Sequence, residues 1–409
     1  MGYRRLVLFG AVVAVVAVAS VPMAGQARRA TDSTAASTKA WTPPRTAWGY
    51  PDLQGTWRQL VRVPLERAKG AAEFLTDAEV AAKLREAEEL YARMAAGETE
   101  LNAERGLPLR NGVWYVTGEK PRVSRRTSAM IDSPNGRVPP WTPQQMKRWE
   151  AREAAKRGRG HGDSWEDRSL VERCIGFMEE AALGYYGLIR PAREEVRVTA
   201  DEFDRSTANR ELIGFGDVPP GGVGSRILQA PGYVVIYTEG NNQGHYRIIP
   251  LDGRPALGPK IRQWTGVSRG HWEGNTLVVE TTNINDQQDG GRFIPSQTTA
   301  HYPGSGETLR VTERYTRVDS DTIEHRHTTN DPETFIRPYT KLREWTRDDK
   351  FAMAPGVCHE NNDGLVGVFS AGRADEAWSL RYTEAEQRNR LQRLEEMKAE
   401  WAAERNESR

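Results

Sequence analysis

The chain has 409 residues, of which 38% are hydrophobic and 28% charged, and its formal net charge is +1. That balance suits a globular protein and excludes a dedicated nucleic-acid or membrane-surface binder, which carries a strong basic excess. Beyond the first residues, no apolar run reaches the ~20 residues that a membrane span needs.

The opening "MGYRRLVLFGAVVAVVAVASVPMAGQA" sets Arg4 and Arg5 before an Ala- and Val-rich run that ends in small residues. Residues 1–27 read as a signal peptide cleaved after Ala27. The paired arginines fit an ordinary Sec signal or a twin-arginine one. The expected location is the periplasm or the cell exterior. There, the only two cysteines, Cys174 and Cys358, are expected to form a disulfide; two buried thiols are the alternative.

Residues 28–50, rich in Ser, Thr, Ala and Pro, read as a flexible leader. The next region, 51–192, is helical after an initial strand in "DLQGTW". Thr76 and Glu79 form a capping box, with Leu75 and Val80 as a hydrophobic staple, which predicts a helix from Asp77 to Ala96. Thr142 as cap and Pro143 at the first helical position start a second helix.

Residues 193–372 alternate with period two between turn signals. "YVVIYTE" and "HYRIIPL" flank the loop Gly240 to Gly244, and "RGHWE" and "TLVVETT" flank Gly274-Asn275. "TLRVTERYTRV" and "TIEHRHTT" flank Asp319 to Asp321, and "TFIRPYTKLREW" follows Asp331-Pro332. Short connections imply an antiparallel meander, which removes its exposed edges by closing on itself. The expected fold is α+β: a lipocalin-like antiparallel β-barrel with N-terminal and C-terminal helices packed outside. The last helix falls in residues 373–409, with Leu391, Leu394 and Met397 on one face.

The hairpin over "RVTERYTRVDSDTIEHRH" concentrates the chemistry. Side chains alternate across a strand, so Leu309, Val311, Glu313 and Tyr315 share the more apolar face, which should point inward. Ile323, His325 and His327 share a face of the partner strand. A three-residue turn, Asp319-Ser320-Asp321, with Asp321 in the left-handed region that Asp tolerates, opposes Tyr315 to His325 and Glu313 to His327, all facing the interior. A two-residue turn instead pairs Arg314 with His325 and Glu313 with Arg326 on the outside. Register therefore decides between a site and a surface.

In the inward register, Glu313 orients His327 as a general base, with Tyr315 or His325 as acid. The His325/His327 pair is also a candidate metal site for zinc or copper, needing a third ligand from Glu313, His271 or His359. Hydrogen-bonded wall residues are the simpler alternative. Arg247, Arg269, His271 and Trp272 are candidate ligand contacts, with Arg247 or Arg269 suited to developing negative charge. In the Gly274-Asn275 hairpin, His271 and Glu280 share a face, where cross-strand stabilisation is the simpler role. "GVSRG" around Ser268 matches the hydrolase string G-x-S-x-G but lacks the strand-turn-helix elbow. "CHENN" lacks the second histidine of a zinc-protease helix.

The segments "PDLQGTW", "RCIGF", "RIIPLDGRP", "GVSRGHWEGNTLVVETTNIN", "RYTRVDSDTIEH" with "DPETF", and "CHENND" together resemble a family of exported proteins of environmental Gram-negative bacteria. The resemblance implies one recurring architecture over most of the mature chain. The family carries no assigned activity, so it lends these positions no catalytic roles. Two functions follow from the residues: binding of a small apolar or amphipathic molecule in the barrel, or a periplasmic hydrolase or lyase using the Glu/His pair or the metal site. A barrel filled by its own side chains would favour a structural protein instead.

Overall fold

The computed structural model describes residues 41–58, 63, 66–68, 70–95, 122–155, 158, 224–238, 245–263, 265–285, 307–351 and 353, together with 388, 391–392, 395–396, 398–399 and 401–402. The expected signal peptide over residues 1–27, both cysteines, His359 and the loop Gly240 to Gly244 lie outside the described residues.

The strands are β1 (Gly55–Arg58), β2 (Gly224–Ala230), β3 (Tyr233–Thr238), β4 (His245–Pro250), β5 (Val267–Glu273), β6 (Thr276–Thr282), β7 (Arg310–Arg317), β8 (Thr322–Asn330) and β9 (Tyr339–Arg347). They form one antiparallel sheet in the order β4-β3-β2-β1-β9-β8-β7-β6-β5. Every neighbour is consecutive in the chain except β1 and β9, so the meander is joined by its first and last strands. Its two free edges, β4 and β5, lie side by side: a Cβ added to Gly270 on β5 would stand 2.7 Å from Ile249 Cγ2 on β4. The result is a nearly closed, nine-stranded barrel-like sheet. β1, from the otherwise helical N-terminal region, is thus a stave of the barrel.

Two helices are described in full, α1 (Asp77–Ala95) and α2 (Pro143–Ala155), and the described residues between Arg388 and Ala402 are helical. The expected caps hold them. Glu79 Oε2 accepts from the Thr76 amide at 2.7 Å, and the Thr76 hydroxyl accepts from the Glu79 amide at 3.3 Å. The Thr142 hydroxyl caps Gln145 N at 3.1 Å.

Two apolar clusters fill opposite ends of the barrel. At the end carrying the β7–β8 turn, Trp57, Ile227, Val234, Ile236, Ile249, Leu277, Val279, Tyr315, Ile323 and Trp345 pack together. At the other, Leu309, Val311 and Tyr339 meet Met130, Trp141, Phe335, Trp149 of α2 and Trp401 of the C-terminal helix. Burying each such large side chain contributes about 1.5–3 kcal/mol.

Residues 44–53, expected at their start to continue a flexible leader, are instead a strap across the first end. Tyr50 stacks on Trp272 with ring centroids 5.4 Å apart, and Arg45 donates to Asn275 Oδ1 at 3.2 Å in the β5–β6 turn. Arg317 Nη1 donates to Asp52 O at 2.9 Å, and Gln229 Nε2 to Pro51 O at 3.1 Å. Prolines stiffen this segment and three barrel strands hold it, which a composition-based reading does not register. Among the described residues, no helix is long and apolar enough to cross a membrane.

Candidate functional site

The turn between β7 and β8 has three residues, because the ladder ends with Arg317 opposite Ile323 and Val318 N donating to Thr322 O. Asp321 does not take the left-handed conformation expected of it; Asn283 is the one described non-glycine residue with positive φ. Asp319 does the work instead, its carboxylate accepting from Asp321 N at 2.7 Å. Arg317 clamps the turn through Asp319 O at 3.3 Å and Ser320 O at 2.6 Å. This register opposes Glu313 to His327 and Tyr315 to His325, and all four are buried.

The side chains then join differently from the rungs. Glu313 Oε1 lies 3.2 Å from Nε2 of the diagonal neighbour His325, so His325, not His327, is the imidazole that Glu313 orients. Tyr315 OH donates to the same oxygen at 2.6 Å. Across the barrel from β4, Arg247 grips both carboxylate oxygens, Nη1 to Oε2 at 2.5 Å and Nη2 to Oε1 at 3.0 Å. Its Nη2 also donates to Tyr315 OH at 3.0 Å. Three of the four bonds to Glu313 fall on Oε1 and one on Oε2, so both oxygens of the carboxylate are engaged.

Burial pushes the Glu313 pKa up, but the Arg247 charge and the hydrogen bonds from His325 and Arg247 outweigh it and hold the carboxyl well below its ordinary range. Glu313 is therefore an anion fixed by a bidentate partner, the strong form of a charge-assisted bond. An ionised carboxylate accepts only, so His325 presents Nε2–H to it. In the neutral imidazole, Nδ1 is then a bare acceptor.

Aromatic rings wall the network. Tyr315 stacks on His325 at 4.5 Å and 11°, and Trp345 stands edge-on to both, 4.9 Å from His325 and 5.4 Å from Tyr315. His327 meets His325 edge-to-face at 6.1 Å. Among the nitrogens buried without a hydrogen-bond partner are His325 Nδ1 and Trp345 Nε1, on residues 3% and 1% exposed, and Trp272 Nε1, on a side chain packed against the same apolar cluster as Trp345. Trp345 and the buried Lys341, opposite His327, belong to this layer; the alternation in "YTKLREW" was the one signal that marked them.

The other candidates lie elsewhere. His271 is 52% exposed on the outer face, 3.1 Å from Glu273. Arg269 is opposite Glu280, and its guanidinium donates to Ser268 O at 2.9 Å and Pro255 O at 3.4 Å. Trp272 packs on the apolar cluster beneath Tyr50. Ser268 sits within β5, its hydroxyl 2.8 Å from that of Thr281, with no nucleophile elbow. Among the described residues, no three His, Cys, Asp or Glu side chains converge to hold a metal ion. His271 faces away from the His325/His327 pair, and Glu313 is engaged by Arg247, Tyr315 and His325.

No family model, curated protein or solved structure matches this chain. The geometry of the polar layer is the ground on which a function can be argued.

Proposed function

We propose that the mature chain is an exported protein that holds a small apolar or amphipathic molecule in its barrel, at the layer of Glu313, Tyr315, His325 and Trp345. One observation carries this reading: beside a carboxylate hydrogen-bonded on both oxygens, His325 Nδ1 and Trp345 Nε1 are buried and unpartnered. Each such group costs about 1–3 kcal/mol, and proteins keep a cost of this kind where a site needs it. Aromatic walls with a few polar atoms are the ordinary lining of a small-molecule site.

Native mass spectrometry of the mature protein, compared with its denatured spectrum, tests the reading. An organic mass lost on denaturation supports it. A bare protein that also fails to enhance the fluorescence of N-phenyl-1-naphthylamine, a neutral probe of apolar sites, rejects it. Replacing His325 and His327 by Gln should weaken binding of this neutral probe only modestly.

A second reading, a periplasmic hydrolase or lyase, is favoured by the Glu313–His325 contact. A carboxylate that fixes one imidazole nitrogen leaves the other as a general base. This moves the base from His327, the expected residue, to His325. It requires Glu313→Gln to abolish turnover of a substrate while the far-UV circular dichroism stays unchanged; an unaltered rate sinks it.

A further inference from the structure

The chemistry of His325 Nδ1 and Trp345 Nε1, unpartnered nitrogens on neighbouring rings, defines what the bound molecule must carry. Trp345 Nε1–H is a donor only. His325 Nε2–H is committed to Glu313 at 3.2 Å, which makes Nδ1 an acceptor in the neutral ring. Glu313 needs no second cation, because Arg247 already answers its charge through two hydrogen bonds. The layer therefore offers an acceptor and a donor on neighbouring rings, with centroids 4.9 Å apart.

We propose that the molecule held in the barrel carries a neutral hydroxyl group, which donates to His325 Nδ1 and accepts from Trp345 Nε1. This inference rests on the binding reading above and narrows it to a chemical class: lipophilic alcohols and phenols, rather than hydrocarbons or carboxylates. A hydroxyl is one donor and two acceptor lone pairs on a single atom, so it serves both nitrogens. A hydrocarbon leaves both unsatisfied. A carboxylate serves Trp345 but sets its lone pairs against that of His325. The apolar side chains packed around Tyr315 and Trp345 receive the hydrocarbon part.

The experiment uses the full mature chain and a matched series of naphthalenes. N-phenyl-1-naphthylamine is bound first, then displaced at pH 7 by 2-naphthol, naphthalene or 2-naphthoate. 2-Naphthol is expected to displace at concentrations at least tenfold lower than either of the others. In His325→Phe and, separately, Trp345→Phe, that preference should fall to within about threefold while the probe still binds. Trp345→Phe removes the N–H together with one ring of the indole, keeps an aromatic side chain there, and keeps the test open should His325→Phe not fold.

Equal displacement by naphthalene overturns the hydroxyl assignment, since water then serves the two nitrogens. A preference for 2-naphthoate also overturns it, because Nδ1 must then carry a proton. In both cases the binding reading stands. Absence of probe binding in the wild-type chain removes the binding reading, and this inference with it.

Discussion

Glu313 and His325 are bonded on the diagonal, 3.2 Å apart, although the ladder sets Glu313 opposite His327. The diagonal arises because the carboxylate is drawn toward Arg247, which arrives from β4 on the far side of the barrel. A side chain from a distant strand thus selects which histidine of a His-x-His pair is oriented. It also ties β4, an edge strand, to the middle of the opposite wall.

That tie should be measurable. Arg247→Met leaves Glu313 buried without its cation, and removing one member of a buried pair typically destabilises by about 3–5 kcal/mol. Combining it with Glu313→Gln removes both charges and should restore most of the loss. Guanidinium unfolding of the four proteins gives the coupling directly; additive losses would show that the two side chains do not stabilise one another.

The same pair predicts a pH dependence. Its folded-state pKa is depressed, so the stabilisation is present above the unfolded value near 4.5 and is lost as pH falls through the folded value. The difference in unfolding midpoint between the wild type and Glu313→Gln should be constant from pH 7 to 5. It should shrink as the solution is acidified below pH 4.5, the ordinary value for this group. A difference that persists unchanged at pH 2 contradicts an ionised Glu313.

Much of the barrel is legible because burial alternates on strands such as β7 and β8, where Val311, Glu313, Tyr315, His325 and His327 share the inner face. Strand β2 escaped that reading for a physical reason. Leu228 is 51% exposed, whereas its neighbour Gln229 is 8% exposed, so the apolar contrast is inverted. Gln229 is inside because it holds the strap, accepting from Leu53 N at 2.7 Å while donating to Pro51 O at 3.1 Å. The strap and the diagonal bond both depend on residues far apart in sequence. Local period and turn chemistry carry no trace of either. The three-residue turn was legible in length but not in mechanism, since Arg317 and the Asp319 side chain replace the left-handed residue.

The unpaired seam between β4 and β5 depends on Gly270. An added Cβ there would lie 2.7 Å from Ile249 Cγ2 and 2.8 Å from Leu251 Cδ2. Gly270→Ala should therefore destabilise by about 1–3 kcal/mol through overpacking. In the background of Ile249→Ala, which removes the nearer of the two contacts and leaves that with Leu251, the substitution should cost clearly less. Chemical denaturation of the single and double variants checks this, and equal costs in both backgrounds would mean that the seam relaxes without contact.

On the outer wall, Glu344 of β9 is opposite Glu324 of β8, a like-charged pair of the kind that destabilises sheets by a few tenths of a kcal/mol. Burial raises the Glu344 pKa, and the Glu324 charge adds to it, against a hydrogen bond donated by the Ser124 hydroxyl at 3.3 Å. The sign is opposite to that of Glu313. Below the unfolded value of 4.5 both states are protonated and nothing is lost, whereas as pH rises through the folded value the native state bears a penalty the unfolded chain does not. Glu344→Gln keeps an acceptor for Ser124 and should raise the melting temperature slightly at pH 7, with the gain vanishing near pH 4. A gain of equal size at both pH values would assign the effect to packing of the amide, and the charge argument would fail.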